Sequence, residues 1–384
     1  MTTLPPTREM IRALVSIPSV SSHDAAFDQG NRGVIDALAG WAEGLGFAVQ
    51  VQALPHHPRK ANLIATLGHG EGGLLLSGHT DTVPWDEGRW RHDPFGAQES
   101  EGRLYGLGAA DMKSFLALAL EAASAFRAGQ LQAPLTILAT ADEESTMAGA
   151  RALTRGGLPA PRYAVIGEPT ELRPIRAHKG IMMELVRILG RSGHSSDPAL
   201  GESALEGMHK AIGALLGWRE ALQRAWRDED FAVPTPTMNL GRIVGGDNAN
   251  RICAWCDLHL DLRFLPGMSI PDLRAQVTAV LQESLEETQL KLIVEPLFGG
   301  VPALETPKSG ALVGAAEALT GHRAGTVAFG TEGPFLSALG METIILGPGS
   351  IRCAHQPDEH IELASLAPTV ALLRALIDRF CVQR

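Results

Sequence analysis

Leu74-Leu75-Leu76-Ser77-Gly78-His79-Thr80-Asp81 is an apolar run that reads as a buried strand and ends in an imidazole, with a carboxylate two residues further on. Three later stretches share this layout. Gly106-Leu107-Gly108-Ala109-Ala110 leads to Asp111 ahead of a long apolar helix, and Leu135-Thr136-Ile137-Leu138-Ala139-Thr140 runs into Asp142-Glu143-Glu144. Tyr163-Ala164-Val165-Ile166-Gly167 ends in Glu168. In open α/β sheets, sites are built in the crevice beyond the carboxyl ends of the strands. A chain that repeatedly delivers His, Asp and Glu to that edge is assembling a metal site on its sheet.

Outward from these strands, the order of elements is that of an α/β fold with a mostly parallel sheet. Thr7 reads as the cap of an opening helix with Ile11, Leu14 and Val15 on its apolar face, and a second helix over 31–45 closes at Gly46. Strands at 47–54 and 62–67 flank a loop, His56-His57-Pro58-Arg59-Lys60, whose histidines read as solvated because nothing apolar or acidic frames them. Helices are expected over 113–128 and 147–154. The rhythm then changes to strand 181–189, helix 203–222, strands 237–244 and 252–264, helix 270–287 and strand 290–295, the βαββαβ order of a ferredoxin-like sandwich. After a Pro/Gly-rich stretch over 298–307, a helix (309–320), a strand (343–346) and a last helix (363–380) resume the first pattern. The reading is a domain in two parts, 1–177 and 296–384, interrupted by an insert at 178–295.

With 384 residues, 45% hydrophobic and 20% charged, the chain has the composition of a folded globular protein large enough for two domains. Lys and Arg number 33 against 43 Asp and Glu, and a net charge of -10 argues against nucleic acid or an anionic membrane as a partner. A small-molecule partner fits better. The N-terminal Met1-Thr2-Thr3-Leu4-Pro5-Pro6-Thr7 lacks the features of a secretory signal and no run is long enough to cross a bilayer, so a cytoplasmic location is expected. Four cysteines are too few for a disulfide framework and are expected as free thiols. Cys253-Ala254-Trp255-Cys256 has no second pair and continues as a strand, which places the two thiols on opposite faces.

Zinc in hydrolytic sites takes His nitrogen and carboxylate oxygen, and a paired site needs a group shared between ions about 3.5–4 Å apart. His79, Asp111, Glu144, Glu168 and His355 supply such a set from five segments. The adjacent Glu143 and Glu144 suit a division of labour, one ligating and the other free to take a proton from an activated water. Asp81 is expected to accept the second ring N–H of His79, as carboxylates commonly do beside a ligating histidine. Gly106-Leu107-Gly108-Ala109-Ala110 could suggest a dinucleotide-binding turn, but Asp111 stands where the third small residue belongs and no Val/Ile-rich strand precedes it. A metal-dependent binding protein without catalysis would have no use for a free base such as Glu143.

The same residues carry a family resemblance over essentially the whole chain. His79-Thr80-Asp81-Thr82-Val83-Pro84, Gly106 to Lys113, Asp142-Glu143-Glu144, Gly167-Glu168-Pro169-Thr170 and Ala354-His355-Gln356-Pro357-Asp358-Glu359 resemble the aminoacylase/carboxypeptidase G2/succinyl-diaminopimelate desuccinylase family of co-catalytic zinc hydrolases. Trp85-Asp86-Glu87-Gly88-Arg89-Trp90, Arg176-Ala177-His178-Lys179-Gly180, Gly193-His194-Ser195-Ser196-Asp197-Pro198 and Asn250-Arg251-Ile252-Cys253 look most like its deacetylase members. The resemblance implies two zinc ions per subunit, with cobalt able to substitute. Asp111 would bridge them, His79 and Glu168 completing one site and Glu144 and His355 the other, with Glu143 as general base and acid. It further implies a cis peptide at Asp111-Met112 and an insert that serves as a dimerisation or lid domain. His194 would reach into the partner subunit's site of a homodimer and polarise the scissile carbonyl; the alternative is a turn histidine bonded to its own backbone. Asn250 and Arg251 would bind the carboxylate of a small N-acyl amino acid, a role suited to a guanidinium fork, the alternative for Arg251 being a surface salt bridge. Glu332, in Gly330-Thr331-Glu332-Gly333, is a candidate partner for a substrate amino group, which would favour a cationic substrate over those of the desuccinylases.

Overall fold

The computed structural model describes residues 4–55, 57–153 and 161–382. The chain forms two compact units, one running up to Arg176 and including Thr306–Gly325 and everything from Thr331 onward, the other Ala177–Glu305 with Thr326–Gly330. The sequence placed the insert at 178–295. In the structure the second unit also takes in the strand Leu304–Glu305, which pairs with His178 and Ala177.

The strand Leu74–His79 lies between Leu135–Thr140 and Tyr163–Pro169, parallel to both, and Glu342–Gly347 continues the parallel set beside Tyr163–Pro169. Every residue of Leu74–His79 and Leu135–Thr140 is buried, as expected of parallel strands covered on both faces. The register sets His79 opposite Thr140 and Ser77 opposite Ile166, so the loops carrying the acidic residues leave the sheet at one edge. The helix Lys113–Ala123 is buried along ten of its positions. It packs so closely that a Cβ on Gly167 would fall 1.9 Å from the Phe115 ring, which is why the residue before Glu168 carries no side chain.

An antiparallel hairpin, Ala48–Leu54 with His57–Leu67, closes one edge of this sheet. The segment from His57 to Lys60, read above as loop, is therefore strand; its exposed, charged and Pro-containing residues hide the pattern that a buried strand shows, and His56 lies outside the described residues. The helix expected over 147–154 is confined to Ala148–Arg151, and position 154 lies outside the described residues. Thr7 opens the first helix, but Pro6 occupies the cap position and no side-chain bond is made there. Three-residue strands, Gln98–Ser100, Arg103–Tyr105 and His360–Glu362, form a small antiparallel sheet without a sequence signal.

The second unit is the βαββαβ sandwich. Its antiparallel sheet runs in the order Thr237–Gly245, Trp255–Phe264, Gly180–Leu189, Lys291–Pro296, with helices Ala204–Ala225 and Ile270–Ser284. Gly180–Leu189 alternates buried and half-buried residues, and Met182, Val186 and Ile188 from its buried face join a core with Met208, Leu215, Val277 and Leu281 of the helices. Ser203 and Ser269 cap these helices by accepting N–H bonds from Glu206 and Asp272, both at 3.3 Å. Cys253, Cys256, Cys353 and Cys381 are free. Among the described residues no helix is long and apolar enough to cross a membrane.

Candidate active site

The first unit gathers the predicted metal ligands by itself. His79, only 1% exposed at the end of its strand, donates from Nδ1 to the Asp81 carbonyl at 2.9 Å, which turns Nε2 toward the acidic residues. Nε2 lies 3.0 Å from Asp111 Oδ1 and 3.9 Å from Glu168 Oε1. His355 Nε2 lies 2.8 Å from Glu144 Oε1 and 3.4 Å from Asp111 Oδ2. The two oxygens of Asp111 thus face two different imidazoles, the arrangement a bridging carboxylate requires. Donor atoms of His79, Asp111 and Glu144 lie within 4.8 Å of one another, as do those of His79, Glu143 and Glu168. The Asp111-Met112 peptide is cis.

Electrostatics explain why such a cluster calls for cations. Burial pushes the Glu143 carboxyl well above its ordinary range; His79 opposes this, while the charges of Glu144, Asp81 and Glu332 add to it. Glu168 is raised by burial and by Asp111. For Asp111, burial works upward, but bonds to His355 and His79 outweigh it and hold the group below the usual carboxylate range. Packing this many carboxylates out of water is costly unless positive charge offsets them, and a set of His nitrogens and carboxylate oxygens fits a pair of divalent ions.

Two expectations need correction. The Asp81 carboxylate does not accept the His79 ring N–H: its Oδ1 is 3.8 Å from Nδ1, and the main-chain carbonyl takes that bond. Its oxygens accept instead from the backbone N–H groups of Glu143 at 3.2 Å and Glu144 at 3.1 Å. Glu332 does not present its carboxylate to a ligand. It is 1% exposed, and its oxygens accept from the hydroxyls of Ser77 and, at 2.6 Å, Thr140. The turn that carries Glu332 tucks it against the two strands that lead to His79 and Glu143.

His194, Asn250 and Arg251 lie in the second unit, where the structure brings their two motifs together. His194 and Arg251 form a β-bridge, and Ser195 N donates to the Asn250 carbonyl at 3.1 Å. All three are exposed. His194 Nδ1 lies 2.7 Å from Ser196 Oγ and 3.2 Å from Ser196 N, so the ring is bonded within its own turn and Nε2 is left facing away from those partners. Arg251 pairs with Asp247.

The motif around His355 also contains a residue to which the sequence assigned no role. Glu359, 1% exposed, accepts from Ala110 N at 2.9 Å and Asp111 N at 3.0 Å. It thereby ties the loop carrying one ligand to the loop carrying another. Its neighbour Asp358 accepts from Arg91 and His92. The acidic pair three and four residues after His355 was the available signal, but the targets of Glu359 lie about 250 residues earlier in the chain.

Comparison with known proteins agrees with this geometry. Residues 75–379 match the model of peptidase family M20/M25/M40. The chain is 48% identical to an acetylornithine deacetylase of Yersinia pestis, covering 99% of both chains, and 50% identical to one of Salmonella arizonae, covering 98% of both. A tripeptidase from Staphylococcus aureus shares the fold with a TM-score of 0.75 at 22% identity, over 97% of both chains. A fold that collects His79, Asp111, Glu144, Glu168 and His355 at one sheet edge, and a sequence match over most of its length, lead to one conclusion: the chain belongs to peptidase family M20/M25/M40.

Proposed function

We propose that this chain removes acetate from N2-acetyl-L-ornithine, giving L-ornithine in arginine biosynthesis, as a cytoplasmic homodimer with two zinc ions per subunit. Its class is settled by the family match: it is a metal-dependent hydrolase of linear amides. The single observation that carries the substrate is full-length identity near one half to curated acetylornithine deacetylases. His79, Asp111 and Glu168 would hold one ion and Glu144, Asp111 and His355 the other, and cobalt could take the place of zinc. Bound there, the ions supply a polarised amide carbonyl and a water acidic enough to lose its proton near neutral pH.

The chain's own residues supply the rest. Glu143, the carboxylate not needed as a ligand, takes the proton and passes it to the leaving nitrogen. Asp81 holds the main chain of both glutamates in place. His194 of the partner subunit donates to the carbonyl oxygen as negative charge develops there. Asn250 and Arg251 receive the substrate carboxylate, Arg251 exchanging its Asp247 partner for it.

The test is kcat/KM of zinc-loaded protein on N2-acetyl-L-ornithine and N-succinyl-diaminopimelate side by side, with a chelator-treated control. A large preference for the acetylated substrate, lost with the metal, is expected. Preference for the succinylated compound would keep the site and overturn the substrate.

A further inference from the structure

We propose that Lys60 is a positioning residue for the general base, acting through Asp142 to fix the turn that carries Glu143 and Glu144. The proposal rests on the reading of Glu143 given above. Lys60 is 5% exposed, unusual for a lysine. Its Nζ lies 2.7 Å from Asp142 Oδ1 and 2.6 Å from Asp28 Oδ1. Asp142 Oδ1 also accepts from Ser21 Oγ at 3.1 Å.

Asp142 sits at the start of a tight turn with φ at +57°, and Met147 closes the turn with the same φ. A non-glycine residue holds that conformation only where its surroundings over-determine it. Here they do. The Asp142 carbonyl accepts from Thr146 N at 3.2 Å and Met147 N at 2.7 Å, its side chain is held by the ammonium, and the next two N–H groups are held by Asp81. The turn is gripped before the base by a cation and at the base by an anion.

Stability alone does not account for this arrangement, because desolvation of a buried ion pair largely offsets its attraction. Removing the ammonium has a geometric consequence instead. Asp28 and Asp142 aim oxygens at the same nitrogen, so without it two carboxylates would face each other and Asp142 would move. Glu143 is the next residue.

The experiment compares zinc-loaded wild type with Lys60→Met, Lys60→Arg, Asp142→Asn and the Lys60→Met/Asp142→Asn pair, reading kcat, KM, zinc content and amide hydrogen exchange of Glu143 and Glu144. Lys60→Met should lower kcat by about 10²-fold, the scale of an ångström-level misplacement, with KM and zinc content within twofold of wild type. Exchange of both amides should speed at least about tenfold as their bonds to Asp81 loosen. Lys60→Arg should recover most of kcat, and the double variant should be no worse than the poorer single one. If Lys60→Met does not fold, Lys60→Gln, which keeps a donor without the charge, reads the same split. Unchanged amide exchange, or a loss confined to KM or zinc content, overturns the proposal. If wild type fails to hydrolyse N2-acetyl-L-ornithine, the functional reading falls while the exchange result still decides the role of Lys60.

Discussion

The two groups of residues assigned to catalysis are built in opposite ways. In the first unit, His79, Asp111, Glu143 and Glu168 are buried, stand at the ends of covered strands or in loops tied to them, and are braced by groups from distant segments; of the proposed ligands only His355 is exposed, and its Nε2 faces Glu144 and Asp111. In the second, His194, Asn250 and Arg251 are exposed, lie on loops, and bond within their own neighbourhood. Metal coordination tolerates little displacement, and the buried ligands His79, Asp111 and Glu168 are fixed before any metal arrives. Groups that meet a substrate, or a second subunit, are left accessible and take their final geometry only there.

This contrast breaks if the two groups respond alike to mutation. Glu143→Ala should lower kcat by about 10³-fold or more with fold and zinc content retained. His194→Ala should lower kcat by about 10²-fold, again without loss of zinc. Activity assays with metal analysis on both proteins check this. A zinc-depleted His194→Ala protein would join the two groups into one, and a fully active Glu143→Ala protein would remove the base from the mechanism.

A smaller effect sharpens the comparison from the side of the second unit's own buried group. His178 is fully buried, and burial lowers its pKa from 6.5 to about 4. The unfolded chain therefore binds the proton more readily. The stability gained from keeping the ring neutral is present above pH 6.5 and is lost as pH falls through 6.5 toward 4, on the order of 3 kcal/mol in all. Urea midpoints between pH 7 and pH 4.5 should fall more steeply for wild type than for His178→Gln; equal slopes would mean that His178 is not held neutral.

His79, the Glu143-Glu144 pair and Glu168 were legible in the sequence because one physical pattern, a covered strand followed by a polar edge, produced them; the stretch 106–110, read the same way, is instead a turn that delivers Asp111 to the start of the helix Lys113–Ala123. The βαββαβ order was legible because its strands and helices differ in period. Other features depend on partners that no local pattern reveals. Glu332 turned inward because Ser77 and Thr140, 255 and 192 residues earlier, present hydroxyls to it. Asp81 serves the Glu143-Glu144 main chain because parallel register brings the two loops side by side. Lys60 fell in a stretch read as loop because His57-Pro58-Arg59 carries no strand pattern, although the residue is in a strand and buried. The cis bond after Asp111 came from the resemblance alone.

The central claim is that five segments of one unit hold a pair of ions, and zinc titration of chelator-treated protein tests it most directly. The account predicts saturation at two zinc ions per chain, falling to at most one when Asp111→Ala removes the shared ligand. Saturation of the wild type at a single ion, or an Asp111→Ala protein that still binds two, would contradict it.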